Sequence, residues 1–183
     1  MQEEGFTLVE ILIAITIASI ILTSVFSFFN LGFSTWEKRK EDKALEQEWR
    51  VVDQFLKRDL HNLFTSDIYN NRFLGDYHGF EGIILTEKGL SKIRYQYNPA
   101  KNQLLRQVID LEKDKLIEET LFLADINLRD LEFSFYDSKN QYWKSDWEYR
   151  ANQGLPLAVK LELRGKDIEL PALVIDIYIE QKY

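Results

Sequence analysis

Gly5-Phe6-Thr7-Leu8-Val9-Glu10 stands near the N terminus of this 183-residue chain, and residues 11–36 after it carry no charge. About 20 apolar residues span a bilayer as a helix, so the run is long enough to cross one. Glu10 sits just inside its mouth. A charge at mid-bilayer costs roughly 2.5–3.5 kcal/mol on insertion scales, and less near the interface. A carboxylate placed there is expected to have a working partner. A secretory signal peptide has an apolar core of about 7–15 residues and a small-residue cleavage site. Here the run is longer and ends in Glu37-Lys38-Arg39-Lys40, so a retained anchor is expected.

Beyond the anchor the helical period continues. Leu45, Trp49, Val52, Leu56, Leu60 and Leu63 recur at spacings of three and four, one apolar stripe along a helix. Glu46 with Arg50, and Asp53 with Lys57, are acid-to-base pairs at i,i+4 in the favourable order. No proline occurs between Phe6 and Phe64, so nothing forces a kink, and Asn30 with Gly32 is the one weak spot. A stripe on one face must be covered, and the expected cover is a folded domain.

After Phe64 the period becomes two. Ile93-Arg94-Tyr95-Gln96-Tyr97, the turn Asn98-Pro99-Ala100-Lys101-Asn102 and residues 104–109 read as a hairpin. Residues 116–123 are a further strand. Leu131, Phe133 and Phe135 alternate with polar neighbours until Asp137-Ser138-Lys139-Asn140, and Tyr142-Trp143, Trp147 and Tyr149 follow. Val159, Leu161 and Leu163 form another strand, Arg164-Gly165-Lys166-Asp167 turns the chain, and Leu173, Ile175, Ile177 and Ile179 finish it. The expected class is α+β: a long N-terminal membrane and stem helix, then an antiparallel, mostly β domain.

Composition narrows the function. Residues 37–183 hold all 23 Lys and Arg against 27 of the 30 acids, a net of −4. Nucleic-acid binding calls for a basic face, so that class is not expected. With no cysteine, disulfides, thiol catalysis and cysteine-ligated metals are excluded together. His61 and His78 have no partner at metal-ligand or triad spacing. Glu112, Asp114, Glu118 and Glu119 lack the glycine and the alternating oxygen ligands of a calcium loop and read as a solvated edge or loop. No phosphate loop or nucleophile elbow occurs. The expectation is a chain that is not an enzyme and holds no cofactor or metal. Trp143 and Trp147 are candidate interface anchors, with hairpin packing as their plainer role and a sugar platform as a rarer one.

The hexapeptide 5–10 resembles the processing site of type IV prepilins and type II secretion pseudopilins. The resemblance implies cleavage by a prepilin peptidase between Gly5 and Phe6, N-methylation of Phe6, and Glu10 as the assembly carboxylate that neutralises a neighbouring subunit's amino terminus. Pairing two otherwise uncompensated charges inside a helical bundle is the physical sense of that arrangement. It divides the chain into a leader 1–5, a transmembrane part 6–36, an amphipathic stem 37–64 and a β-rich periplasmic domain 65–183.

Within that superfamily three stretches resemble the J-type minor pseudopilin. They are the aromatic segment Phe133-Ser134-Phe135-Tyr136-Asp137 with Trp143 and Trp147, the strand from Gly154-Leu155-Pro156-Leu157 to Leu163, and the stem piece Phe55-Leu56-Lys57-Arg58-Asp59-Leu60. The lack of cysteine leans the same way, because many type IV pilins staple their C-terminal loop with a disulfide. This implies a single-pass protein of the bacterial inner membrane that enters a pseudopilus tip complex with the I- and K-type minor pseudopilins and the major pseudopilin. That complex primes the filament and meets exported proteins. The leader Met1-Gln2-Glu3-Glu4 departs from family leaders in having no basic residue. Charge bias alone would put the flank after the span in the cytoplasm, whereas the resemblance implies an exported domain. Two other readings remain: a minor pilin of a type IV or competence pilus, and a membrane-anchored periplasmic binding module.

Overall fold

The computed structural model describes residues 7–64, 73–87, 89–124, 130–149, 154–164 and 170–177, with the side chains of 34, 35 and 37–42 left aside. The chain divides into two compact units, Met1–Lys43 and Ala44–Tyr183. Helix α1, Leu8–His61, supplies the first unit and the opening of the second.

In the first unit the stretch Leu8–Phe33 is long and apolar enough to cross a membrane. Its large side chains are exposed, Phe28 by 77% and Leu22 by 65%, so nothing within the unit covers them. Its hydroxyls are turned inward along the helix. Thr16, Ser19, Thr23, Ser24 and Ser27 each donate to the carbonyl four residues back, at 2.7–2.9 Å. This removes the polar cost of placing them in hydrocarbon.

The second unit is α+β, as expected. Among the described residues it holds ten strands: β1 Leu74–Asp76, β2 Gly79–Thr86, β3 Gly89–Asn98, β4 Gln103–Asp110, β5 Leu116–Phe122, β6 Asp130–Asp137, β7 Tyr142–Lys144, β8 Trp147–Glu148, β9 Ala158–Arg164 and β10 Leu173–Asp176. One sheet runs β5-β4-β3-β2-β1-β8 and the other β10-β9-β6-β7, with antiparallel pairing throughout. The expected hairpin is β3–β4, with Tyr97 opposite Leu104 and Asn102 at φ 55° in the turn. Leu173, Ile175 and Ile177 are buried; Ile179 and the turn residues 165–167 lie outside the described residues.

The stem stripe is core. Leu45, Trp49, Val52, Leu56 and Leu60 are each at most 3% exposed, against Ile93, Tyr95 and Leu104 of the larger sheet in one cluster. Leu63, read as the last member of the stripe, lies beyond the helix and is only half-buried, bridged to Ile84. Aromatic rings join the sheets: Phe80 meets Phe133 edge-on at 5.7 Å, and Phe73 meets Phe135 at 5.8 Å. Polar ties flank the stripe, with Trp49 Nε1 donating to Pro171 O at 3.0 Å and Leu123 N to the Glu48 carboxylate at 2.6 Å.

Strands β1 and β2 have no counterpart in the sequence reading. Gly79 and Gly82 interrupt the alternation of β2, and Ile83-Ile84-Leu85 is a continuous apolar run with no period. The glycines are there for close approach. A Cβ on Gly79 would lie 2.0 Å from the Tyr95 carbonyl oxygen, and one on Gly75 would lie 2.2 Å from the Phe135 ring.

Candidate functional site

The helix begins at a reciprocal cap. Thr7 is the last residue before α1, and its carbonyl accepts from Glu10 N (3.1 Å) and Ile11 N (3.3 Å). Glu10 Oε2 accepts from Thr7 N at 3.3 Å and from Thr7 Oγ1 at 3.1 Å, while Glu10 N donates back to Thr7 Oγ1 at 3.4 Å. This is a capping box, in which the N-cap hydroxyl and the third-residue carboxylate satisfy each other's backbone donors. The carboxylate also sits at the positive end of the helix dipole, where negative charge is favoured. The sequence signal, Thr-x-x-Glu before an apolar run, was present, but the expectation gave Glu10 only an intermolecular role. The side chain is exposed, so the cap leaves it open to a further donor. Gly5 and Phe6 lie outside the described residues.

Comparison with known families puts this geometry in context. Residues 1–26 match the prokaryotic N-terminal methylation motif. The chain carries a prepilin-type N terminus. That supports a type IV pilin-like or pseudopilin family, and the apolar helix of a prepilin-like protein fits a membrane anchor. No curated protein matches the chain.

The two tryptophans read as a pair are separated by the fold. Trp147 is on β8 of the larger sheet, only 4% exposed, with Nε1 donating to Gly154 O at 3.1 Å. Burial and a satisfied indole N–H place Trp147 among the core residues, as the packing role would have it. Trp143 is on β7 of the smaller sheet and 36% exposed. It lies opposite Tyr136, whose ring is 5.2 Å away, and Lys160 Nζ sits 5.1 Å from its ring centre. The turn before it is anchored by Asp137, which accepts from Lys144 Nζ (2.5 Å), Asn140 Nδ2 (2.8 Å) and the backbone N–H groups of Lys139 and Asn140. The Lys144 hydrogen bond first, then those from Asn140 and Lys139, hold the Asp137 carboxyl well below the usual carboxylate range.

A buried polar cluster escaped the sequence reading. Asp59 on the stem and Arg106 on β4 are each 2% exposed. Arg106 Nε and Nη2 grip the two Asp59 oxygens at 2.5 and 3.1 Å, and Tyr95 Oη donates to the same carboxylate at 2.7 Å. Arg106 Nη1 reaches Glu118 at 2.8 Å, and its guanidinium lies 5.0 Å from the Phe55 ring centre. Burial works against the charge on Arg106, but the hydrogen bonds and charge of Asp59 outweigh it and its pKa is raised. Burial, then the Asp59 charge, pushes the Tyr95 phenol far up, so it stays a donor. Leu104-Leu105-Arg106-Gln107-Val108 held the clue: alternation puts Arg106 on the same face as Leu104 and Val108, where a charge needs a buried partner.

The remaining candidates stay apart. His78 sits in the β1–β2 turn, its ring 4.0 Å from that of Tyr77, and Asp76 holds the turn by accepting from His78 N and Gly79 N. Asp110 caps the β4–β5 loop through Glu112 N and Lys113 N. Among the described residues, no three His, Asp or Glu side chains converge as a metal site.

Proposed function

We propose that this chain is a minor pseudopilin of a type II secretion system, of the J type, and a non-catalytic member of a pseudopilus tip complex. The observation that carries the reading is the methylation motif across residues 1–26, with Glu10 exposed at the first turn of an apolar helix. Prepilin peptidase would cut between Gly5 and Phe6. The membrane-held subunit would then leave the inner-membrane bilayer for a helical assembly, with its β domain on the periplasmic side. Head-to-tail stacking of related subunits makes an open helix. In it the exposed apolar helix would find cover among other stems, and Glu10 would meet a neighbour's amino terminus. The I- and K-type minor pseudopilins and the major pseudopilin are the proposed partners. The chain would act by assembly and would perform no reaction of its own.

Intact mass and N-terminal sequencing of the membrane-extracted protein test the first step. A chain starting at N-methylated Phe6 is expected. One retaining Met1 to Gly5 beside an active prepilin peptidase would bring forward the anchored binding module instead. Glu10→Ala is expected to be processed as usual while secretion is lost, and undiminished secretion by that variant would remove the assembly role. Secretin and secretion-ATPase genes beside this one, rather than pilus or competence genes, would separate the secretion machine from a minor pilin.

A further inference from the structure

The free edge of the larger sheet is open to another strand. β5 ends that sheet, and among the described residues no strand pairs with its outer side. Such an edge leaves a row of backbone N–H and C=O groups unpaired, which proteins commonly blunt with charged side chains, proline, bulges or short length. β5 is seven residues long and contains neither proline nor lysine. A register shift leaves Ile117 without a partner between the Val108–Glu118 and Ile109–Leu116 pairs, so residues 118–122 form the regular stretch. Apolar surface runs along this edge: Leu121 is 52% exposed, Leu116 46% and Ile117 39%. A groove of about 590 Å³ adjoins it, lined by Arg58 from the last turn of α1, Asn62 just after that helix, Ile117 and Glu118 from β5, and Leu85 and Glu87.

We propose that β5 is a docking strand for a different protein, whose extended segment adds to residues 118–122 with an apolar side chain against Leu121 and a lysine or arginine beside Glu119. Charge selects this occupant. The row is acidic: Glu118 is half exposed beyond its bond to Arg106, and Glu119 is tied to Gln107 at 2.7 Å and otherwise faces solvent. A second copy fits badly. Antiparallel self-pairing centred on Glu119 puts that residue opposite itself, and like charges directly opposite are destabilising. Centring on Thr120 puts Glu119 opposite Leu121 and Glu118 opposite Phe122, matching carboxylates with apolar side chains. A basic, apolar strand satisfies both residue types and brings the backbone hydrogen bonds of strand addition.

The test uses the ¹⁵N-labelled full-length chain in zwitterionic detergent micelles. A short capped peptide with a valine and a lysine two residues apart, so that both lie on one face of the strand, is added, then the same peptide with glutamate for lysine. The lysine peptide is expected to slow amide exchange within residues 118–122 by about tenfold, through new main-chain hydrogen bonds. Glu119→Lys, an exposed change, is expected to weaken that peptide about threefold to fivefold and to favour the glutamate peptide. No protection on β5, protection centred elsewhere, or equal response to both peptides would overturn the proposal. So would peptide-free self-association that protects β5, which would assign the edge to a second copy.

Discussion

One helix follows two opposite solvent rules. Along Leu8–Phe33 the apolar side chains face outward on every side, and the hydroxyls are folded back onto the backbone. From Leu45 to Leu60 the apolar residues are confined to one stripe and are almost fully buried. The backbone hydrogen bonding is the same in both, so helix formation does not distinguish them. What differs is where the cover comes from: the stem is covered by its own sheet, while the anchor needs lipid or another chain.

Substitutions can break or sharpen that contrast. The largest effect is expected at Asp59→Ala, which leaves the Arg106 guanidinium buried without its main partner. Loss of one member of a buried ion pair costs about 3–5 kcal/mol. Urea titration of the full chain in detergent, followed by tryptophan fluorescence, measures it. A triple change of Asp59→Met, Arg106→Met and Tyr95→Phe is expected to restore much of the loss, because a packed apolar set needs no charge compensation. A triple variant as unstable as the single one would show that the cluster acts through more than its charge.

The same titration compares Leu56→Ala with Leu22→Ala. The first opens a cavity in the core and should cost about 2–5 kcal/mol. The second removes a side chain that nothing in its unit covers and should change domain stability by no more than about 0.5 kcal/mol. Equal effects would mean that the stem stripe is not core.

Between these two falls Thr7→Ala, which opens the capping box. It should weaken the first turn by about 1 kcal/mol. Faster amide exchange at Glu10 and Ile11, with unchanged exchange at Leu56, is the expected signature. A pH-dependent effect is expected from Asp137→Asn. The folded pKa of Asp137 is depressed, so its stabilisation is fully present above the ordinary carboxylate range. It declines as pH falls below that range toward the folded value. The stability gap between wild type and Asp137→Asn should therefore narrow on acidification, and a gap that widens would mean that Asp137 is not the titrating group.

Much of this was legible in the chain. The uncharged run of 11–36 named the anchor, the three-and-four spacing of Leu45 to Leu60 named the stem, and alternation named β3, β4, β6 and β9. Each signal is local, since it depends only on which side chains a helix or strand must place together. Gly5-Phe6-Thr7-Leu8-Val9-Glu10 was legible through its resemblance to a prepilin-type N terminus, and residues 1–26 match that motif. Even there the capping of Glu10 by Thr7 went unread, because the carboxylate had already been given to a partner.

Tertiary structure decided the rest. Sequence could not say that Asp59 and Arg106, 47 residues apart, meet in the core, because no local period encodes a long-range pair. Nor could it place Trp143 and Trp147 on different sheets, one half-open and one closed, since alternation and spacing describe a strand and not its neighbours. β2 was hidden because glycines chosen for close approach to Tyr95 and Phe73 erase the pattern that marks a strand. The order of strands, which leaves β5 at an edge with Glu119 and Leu121 exposed, exists only once the sheet has formed. Local chemistry determined the elements; packing between distant residues determined which charges are buried and which edge is free.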